Sequence, residues 1–464
     1  MYGIENKVLA LLFSGALLLQ AYAVRLWIGT YLAPAALFPL AWFVFTFFPL
    51  AILFEVPINA WSIFYIWLSS MVFSLSALPF DWKYALKRSQ RTKANYNPHF
   101  ESVFVRRCLY LSALLSMVFS LWTMINNGWG IEEILFDLLA TSGRFAALRG
   151  IEGMEYGIVG TLSIFFTYLA PVLGGLIASA QQTGKAKAGY FVVAIAPSIF
   201  TMVTQSSKLV FLISLFFYLA AVMLAKIYRN RLSMFKRWPF TKILLVALIL
   251  FPLVLVSFVS REGYSDISDL NETTGLLKYA LSSYALGQIY AFSDFFSFYL
   301  GMSSVSTYKN DFESLGAYTF ASIFESLGIG KNFPPGLYEE SGYFPGVFQT
   351  NIFTVFRGLI LDFGGVGTIV FMFVAGLVAN AFFYKLMVGR RSWLASTIYV
   401  ATVVTILMGY LMSVFMARYM YLNALAVYLI LQINSWLQMR SQTRRRLRAA
   451  TDAAVDLAAP PHLA

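Results

Sequence analysis

From about Val8 to Trp436 the apolar residues come in runs of roughly twenty, separated by short polar turns. A helix rises about 1.5 Å per residue, so such a run matches the hydrocarbon core of a bilayer. The pattern predicts about eleven spans, range 10–13, at residues 8–28, 31–54, 58–80, 108–126, 157–180, 189–205, 209–226, 243–260, 359–384, 394–416 and 420–437. The expected fold class is an all-α polytopic transmembrane helix bundle over residues 1–440, with one large exported loop at 261–352. Within that loop Leu281 to Met302 is apolar but interrupted by Gln288, Ser293 and Asp294, which predicts a re-entrant or interfacial helix. One extra crossing there would carry the Arg-rich tail to the outside. Residues 441–464 form that tail, basic at first and expected to be disordered from Ala449.

At the N-terminus a cleavable leader competes with a first span. Lys7, the apolar stretch Val8 to Leu19 and Ala21-Tyr22-Ala23 together resemble a secretory signal with a small-x-small cleavage site. The apolar run extends through Trp27 to spanning length, which favours an uncleaved first helix.

Charge sorts the turns between spans. Asp81 to Arg107 holds seven Lys or Arg against two acids, and Lys226 to Lys242 holds six against none. Both face the cytoplasm by the positive-inside rule. Alternation then puts Lys185 and Lys187, the turn with Lys385, Arg390 and Arg391, and the tail from Arg440 to Arg448 on the same side. The opposite face receives Asn127 to Tyr156, the Gln205 to Lys208 turn and the long loop, which carries ten acids and four Lys or Arg.

Composition narrows the classes. Apolar residues are 59% of the chain and charged residues 12%, against about 25% charged in a soluble domain. The net charge of +12 is spread over inter-helix turns, the pattern of membrane orientation and not of nucleic-acid binding. Cys108 is the one cysteine and His99 and His462 are the two histidines, too few for a disulfide or a structural zinc site. Gly184-Lys185 ends like a phosphate-binding loop, but Ser179 stands where the first glycine belongs.

The informative positions are cations on the exported side, which run against the orientation rule. Arg261 ends the eighth span in Ser260-Arg261-Glu262-Gly263-Tyr264, and Arg357 follows Asn351 to Phe356. Arg418 occupies the turn between the last two spans, and Lys208 follows Thr204 to Ser207. An anionic ligand at that face accounts for them, because guanidinium offers a planar fork of donors and stays charged when partly buried. The plain alternative is that each snorkels to headgroups or pairs with an acid such as Glu262 or Asp362. The loop also carries many tyrosines, among them Tyr264, Tyr290, Tyr308, Tyr338 and Tyr343, which suit sugar contact as well as a membrane interface or a packed loop core. Glu262, Asp266, Asp294 and Glu325 are the carboxylates that can act as a base on a sugar hydroxyl.

The stretch from Asn351 through Arg357, Asp362 and Gly364 to Gly367, after a Pro- and Gly-rich loop, resembles the signature of bacterial oligosaccharide repeat-unit polymerases, the Wzy-type O-antigen polymerases. The Thr204 to Lys208 turn resembles that family's Ser-Arg turn, with Lys208 where Arg is usual. The resemblance implies polymerisation of undecaprenyl-diphosphate-linked oligosaccharides at the periplasmic face of the bacterial inner membrane. It implies no cofactor and no metal, membrane lipid as the surrounding, and room for a chain-length regulator. Under it Arg261 and Arg357 stabilise the diphosphate leaving group, Glu262 and Asp294 supply the base, and Lys208, Arg418, Tyr264, Tyr343 and Asn351 bind substrate. A transporter or flippase of lipid-linked glycans, or a lipid-linked glycan ligase, are the competing readings.

Overall fold

The computed structural model describes residues 3–91, 97–137, 141–145, 157–234, 275, 278–279, 281–302, 308, 314–329, 338, 340–389 and 392–458. The eighth predicted span, with Arg261, Glu262 and Tyr264 after it, lies outside the described residues. The membrane helices are α1 (Ile4–Ile28), α2 (Pro34–Ile52), α3 (Ala60–Leu75), then, after the short basic α4 (Trp82–Arg91), α5 (Val103–Asn126), α6 (Gly157–Ala180), α7 (Gly184–Gln205) and α8 (Lys208–Tyr228). The loop contributes α9 (Gln288–Tyr299), α10 (Ala321–Ser326) and the strands β1 (Gly342–Phe344) and β2 (Phe348–Thr350). Three helices close the chain: α11 (Val355–Met387), α12 (Trp393–Met408) and α13 (Arg418–Ala458). Among the described residues eight helices are long and apolar enough to cross a membrane, and α3 and α12 are shorter apolar helices of 16 residues each. The chain is a multi-pass, all-helical membrane protein whose strands, among the described residues, are confined to one small hairpin.

Local chemistry sets the helix ends. Asn59, Ser102, Thr183 and Ser392 each accept a backbone N–H at the start of α3, α5, α7 and α12. Gly29, at φ 91°, ends α1 in the left-handed conformation that a glycine adopts without strain. The tail differs from the expectation of disorder, because α13 runs on to Ala458. Its alanines are strong helix formers and extend a helix already nucleated in the membrane, so no new nucleus is required.

Small residues let the spans approach closely. A Cβ added at Gly175 of α6 would lie 2.7 Å from the Tyr218 carbonyl and 2.8 Å from Ala221 on α8. One at Gly376 of α11 would meet Ser76 at 2.5 Å and the Phe73 carbonyl at 2.6 Å. Between lipid-embedded helices such contact supplies the packing attraction that hydrophobic exclusion cannot.

The turns fall into two layers. At the end with the basic turns, Thr30 donates to the Leu232 carbonyl (2.6 Å), Ser89 to Asn230 (2.9 Å) and Asn434 to the His99 carbonyl (2.7 Å). At the loop end, Lys7 donates to the Tyr290 hydroxyl (2.8 Å), Asn59 to Ser297 (3.0 Å) and Ser413 to the Thr319 carbonyl (3.1 Å). Alternating crossings require this partition.

Helix α9 is 12 residues, about 18 Å, too short to span. Its buried face carries Ile289, Tyr290, Phe292, Phe295 and Phe296, packed on the bundle, and the hairpin rests on it through Phe344 and Phe348 beside Tyr290. The interrupted stretch Leu281 to Met302 thus contains a short helix packed at the loop end.

Gly175→Val is expected to lower stability by about 1–3 kcal/mol through overpacking against α8. A melting temperature in detergent equal to that of the unaltered protein would show that these helices do not approach as described.

Candidate functional site

Helix α11 is broken where the sequence reads Asp362-Phe363-Gly364-Gly365. Gly364 has φ 66° and ψ 178°, a region essentially closed to any residue with a Cβ. The break exposes backbone groups, and tyrosines satisfy them: Gly365 N–H donates to the Tyr299 hydroxyl (2.9 Å) and the Tyr65 hydroxyl donates to the Gly365 carbonyl (2.7 Å). Ahead of the break, residues 355–363 form a short half-helix at the loop end. Its last turn carries the fully buried Asp362, whose carboxylate accepts from the Ser314 hydroxyl and from the backbone N–H groups of Tyr318 (2.9 Å) and Thr319 (2.6 Å). Asp362 therefore anchors the loop and does not pair with Arg357.

Arg357 sits in the first turn of that half-helix and is 2% exposed. Its guanidinium carbon lies 3.8 Å from the centre of the Tyr338 ring, 4.0 Å from Phe353, and 5.1 Å from both Phe295 and Tyr308. Tyr338 and Phe353 stand at 74° to each other, so they meet the cation from different directions. A desolvated cation over a ring gains about 2 kcal/mol, and several rings make this burial tolerable. Its ion pair among the described residues is with Glu340: Nη2 donates to Oε2 at 2.9 Å. Nε and Nη1 are buried without a hydrogen-bond partner among the described residues. A buried donor left unpaired costs about 1–3 kcal/mol, so this guanidinium is held in place while most of its bonding capacity is unused.

Asp294, on α9, is tied to the same cluster. The Tyr308 hydroxyl donates to Asp294 Oδ2 at 2.6 Å while its ring faces Arg357. Burial, and then the neighbouring Asp294 carboxylate, push the Tyr308 phenol well above its ordinary pKa, and burial does the same for Tyr338. Both phenols keep their protons through the physiological range. Because their folded pKa values are raised, the stability they contribute is complete below about pH 10 and is lost as pH rises beyond it. Asp294 is exposed, so it presents a carboxylate to solvent beside a dry cation.

The other predicted residues have their own surroundings. Lys208 Nζ lies 5.8 Å from the Tyr284 ring, on the π-helical turn Ser282–Leu286 that leads into α9. Arg418 pairs with Glu325 of α10 at 3.1 Å, both more than half exposed, an interaction worth at most about 1 kcal/mol. Its turn has no acid of its own, but the fold brings one. Tyr343 is 68% exposed on β1, and Asn351 is exposed just after β2. The structure therefore joins Arg357 and Asp294 through Tyr308 and gives Lys208 and Arg418 separate contacts at the same end.

Sequence reasoning missed Glu340 and Lys7. Glu340 is one of ten loop acids with nothing in its spacing to single it out. Lys7 is 3% exposed, and its ammonium donates to the Leu53 carbonyl (3.0 Å) as well as to Tyr290, whose ring lies 4.6 Å away. Its contact with Tyr290 puts Lys7 at the loop end, a cation there besides those that the sequence singled out. Three of the cations, Lys208, Lys7 and Arg357, lie over rings of the segment Tyr284 to Tyr308.

A cavity of about 70 Å³ lies between α6, α8, α12 and α13, lined by Val172, Phe217, Val400, Tyr421, Asn423 and Val427 among others. It shares no residue with the Arg357 cage, and no charged residue lines it. Comparison with protein-family models, curated proteins and solved structures finds no match.

Tyr308→Phe keeps the ring over Arg357 and removes the bond to Asp294. A loss of about 1.5–3 kcal/mol is expected, the usual worth of a hydrogen bond to a charged group. An unchanged denaturation midpoint would show that the bond contributes nothing.

Proposed function

We propose that this chain is a glycosyltransferase that polymerises undecaprenyl-diphosphate-linked oligosaccharide repeat units at the periplasmic face of a bacterial inner membrane. The observation that carries the reading is the pairing of a buried, incompletely bonded guanidinium, Arg357, with an exposed carboxylate, Asp294, across one tyrosine. The polymerase signature contains Arg357 and the break at Gly364, which adds the resemblance to the geometry.

Chemically the two groups answer the two demands of the transfer. The glycosidic bond between sugar and diphosphate breaks, and its electrons leave with the diphosphate. Fixed donors in a water-excluded place stabilise that developing charge far more than solvated ones do. The acceptor hydroxyl on the incoming unit loses its proton as the new glycosidic bond forms, and Asp294 accepts it. Lys208 and Arg418 add positive charge at the same end of the bundle, and the exposed Tyr343 ring and Asn351 offer contacts to sugar hydroxyls. Arg261, Glu262 and Tyr264 keep the roles that the resemblance implies. Substrate enters from membrane lipid, and no cofactor is required.

The test is incubation of the purified protein in detergent with synthetic lipid-diphosphate repeat units, with dimers and longer oligomers as the expected products. Arg357→Lys keeps the charge and loses the planar fork, and should slow the reaction about 10²-fold or more. Asp294→Asn should slow it about 10²–10⁴-fold. Unreacted monomer, with the same lipid carried across a vesicle bilayer, would replace this reading with a transporter.

A further inference from the structure

The contact between Arg357 and Glu340 is incomplete in a particular way. A guanidinium has two edges that can each hold an oxyanion by two parallel bonds: Nε with Nη2, and Nη1 with Nη2. Nη2 belongs to both edges. Glu340 takes Nη2 alone, and Nε and Nη1 have no partner among the described residues. A carboxylate packed for stability against a buried arginine would use one edge fully, because the second bond adds energy and fixes geometry.

A further donor is in the same condition. Thr354 is 1% exposed at the start of α11, one turn ahead of Arg357, and accepts the Arg357 N–H through its carbonyl at 3.1 Å. Its hydroxyl, at the position where a threonine usually caps a helix, makes no cap bond and has no other partner among the described residues. The open groups of the guanidinium can both donate, Nε on one edge and Nη1 on the other, with Nη2 shared between them. Together they ask for an oxyanion with more than two oxygens, and a phosphoryl group presents three. The walls are rings from Phe295, Tyr308, Tyr338 and Phe353, which exclude water and supply no competing carboxylate.

We infer that Glu340 is an internal stand-in for a phosphoryl oxygen at Arg357, and that this site takes a phosphoryl-bearing ligand by exchanging it for the Glu340 carboxylate. The exchange turns one bond into a two-bond edge. It also sets a threshold, since a ligand must displace a carboxylate tethered beside the cation. The inference rests on the glycosyl-transfer reading only for the origin of the ligand, a lipid-linked diphosphate. Glu340 is in the loop, outside the helices of the bundle.

The experiment measures binding of inorganic pyrophosphate to the full-length protein in detergent, with acetate as the carboxylate control. Glu340→Gln should bind pyrophosphate about tenfold more tightly than the unaltered protein, and acetate should compete poorly. Arg357→Lys should bind it about tenfold more weakly or worse. Pyrophosphate affinity unchanged or reduced in Glu340→Gln, at an unchanged melting temperature, overturns the inference and makes Glu340 a structural partner. If that variant does not fold, Glu340→Asp draws the carboxylate back by one methylene and is read the same way: tighter binding supports the exchange, and no gain overturns it. Polymerisation of lipid-linked units is assayed separately. Tighter pyrophosphate binding without polymer would remove the glycosyltransferase reading and leave the exchange standing, while polymer formation with no gain in Glu340→Gln would do the reverse.

Discussion

Everything at the loop end depends on how one guanidinium is kept out of water. Arg357 is buried, and the cost of desolvating it is met by four aromatic rings and a single carboxylate bond. The rings come from places far apart in the chain: Phe295 from α9, Tyr308 and Tyr338 from the loop, and Phe353 from the approach to α11. Removing the cation would take an ion-pair partner from the partly buried Glu340, and removing the rings would leave the cation in a wet groove of ordinary electrostatics. The loop and the bundle are therefore joined by the requirement that this charge have company.

The break at Gly364 makes that arrangement possible. A straight helix from Val355 would carry its first turn along the span, whereas the break at φ 66° separates the half-helix from the membrane-crossing part. Broken backbone within a membrane protein is tolerated where side chains take up the freed groups, and Tyr299 and Tyr65 do so here. Asp362 then fixes the loop residues Ser314 to Thr319 against the half-helix. The glycines and the aspartate of this stretch thus act on backbone geometry, and the arginine ahead of them faces the rings.

The cations at the loop end share a location, but the physical role of each differs. Lys208 and Lys7 lie over rings of the segment around α9, and Arg418 meets Glu325 from the loop. These contacts hold the loop on the bundle as well as placing positive charge at its end. Arg357 is set apart from them by its burial together with its two unused donors.

Membrane class, helix positions and the sorting of turns into two layers were readable from residue order, because each follows from local rules: length of an apolar run against bilayer thickness, and charge on each turn. Ten of the eleven predicted spans correspond to described helices, and the interrupted stretch at Leu281 to Met302 became the short helix α9. Asp294 and Arg357 also stand out in the sequence, one as a carboxylate in a broken apolar run and one as a cation against the orientation rule. Their connection through Tyr308, the choice of Glu340 among ten loop acids, and the meeting of Glu325 with Arg418 were decided only by the tertiary structure. Bilayer thickness acts on each segment separately and so leaves its mark on a run of neighbours. Charge pairing and ring contact act between segments tens to hundreds of residues apart, and no spacing along the chain records them.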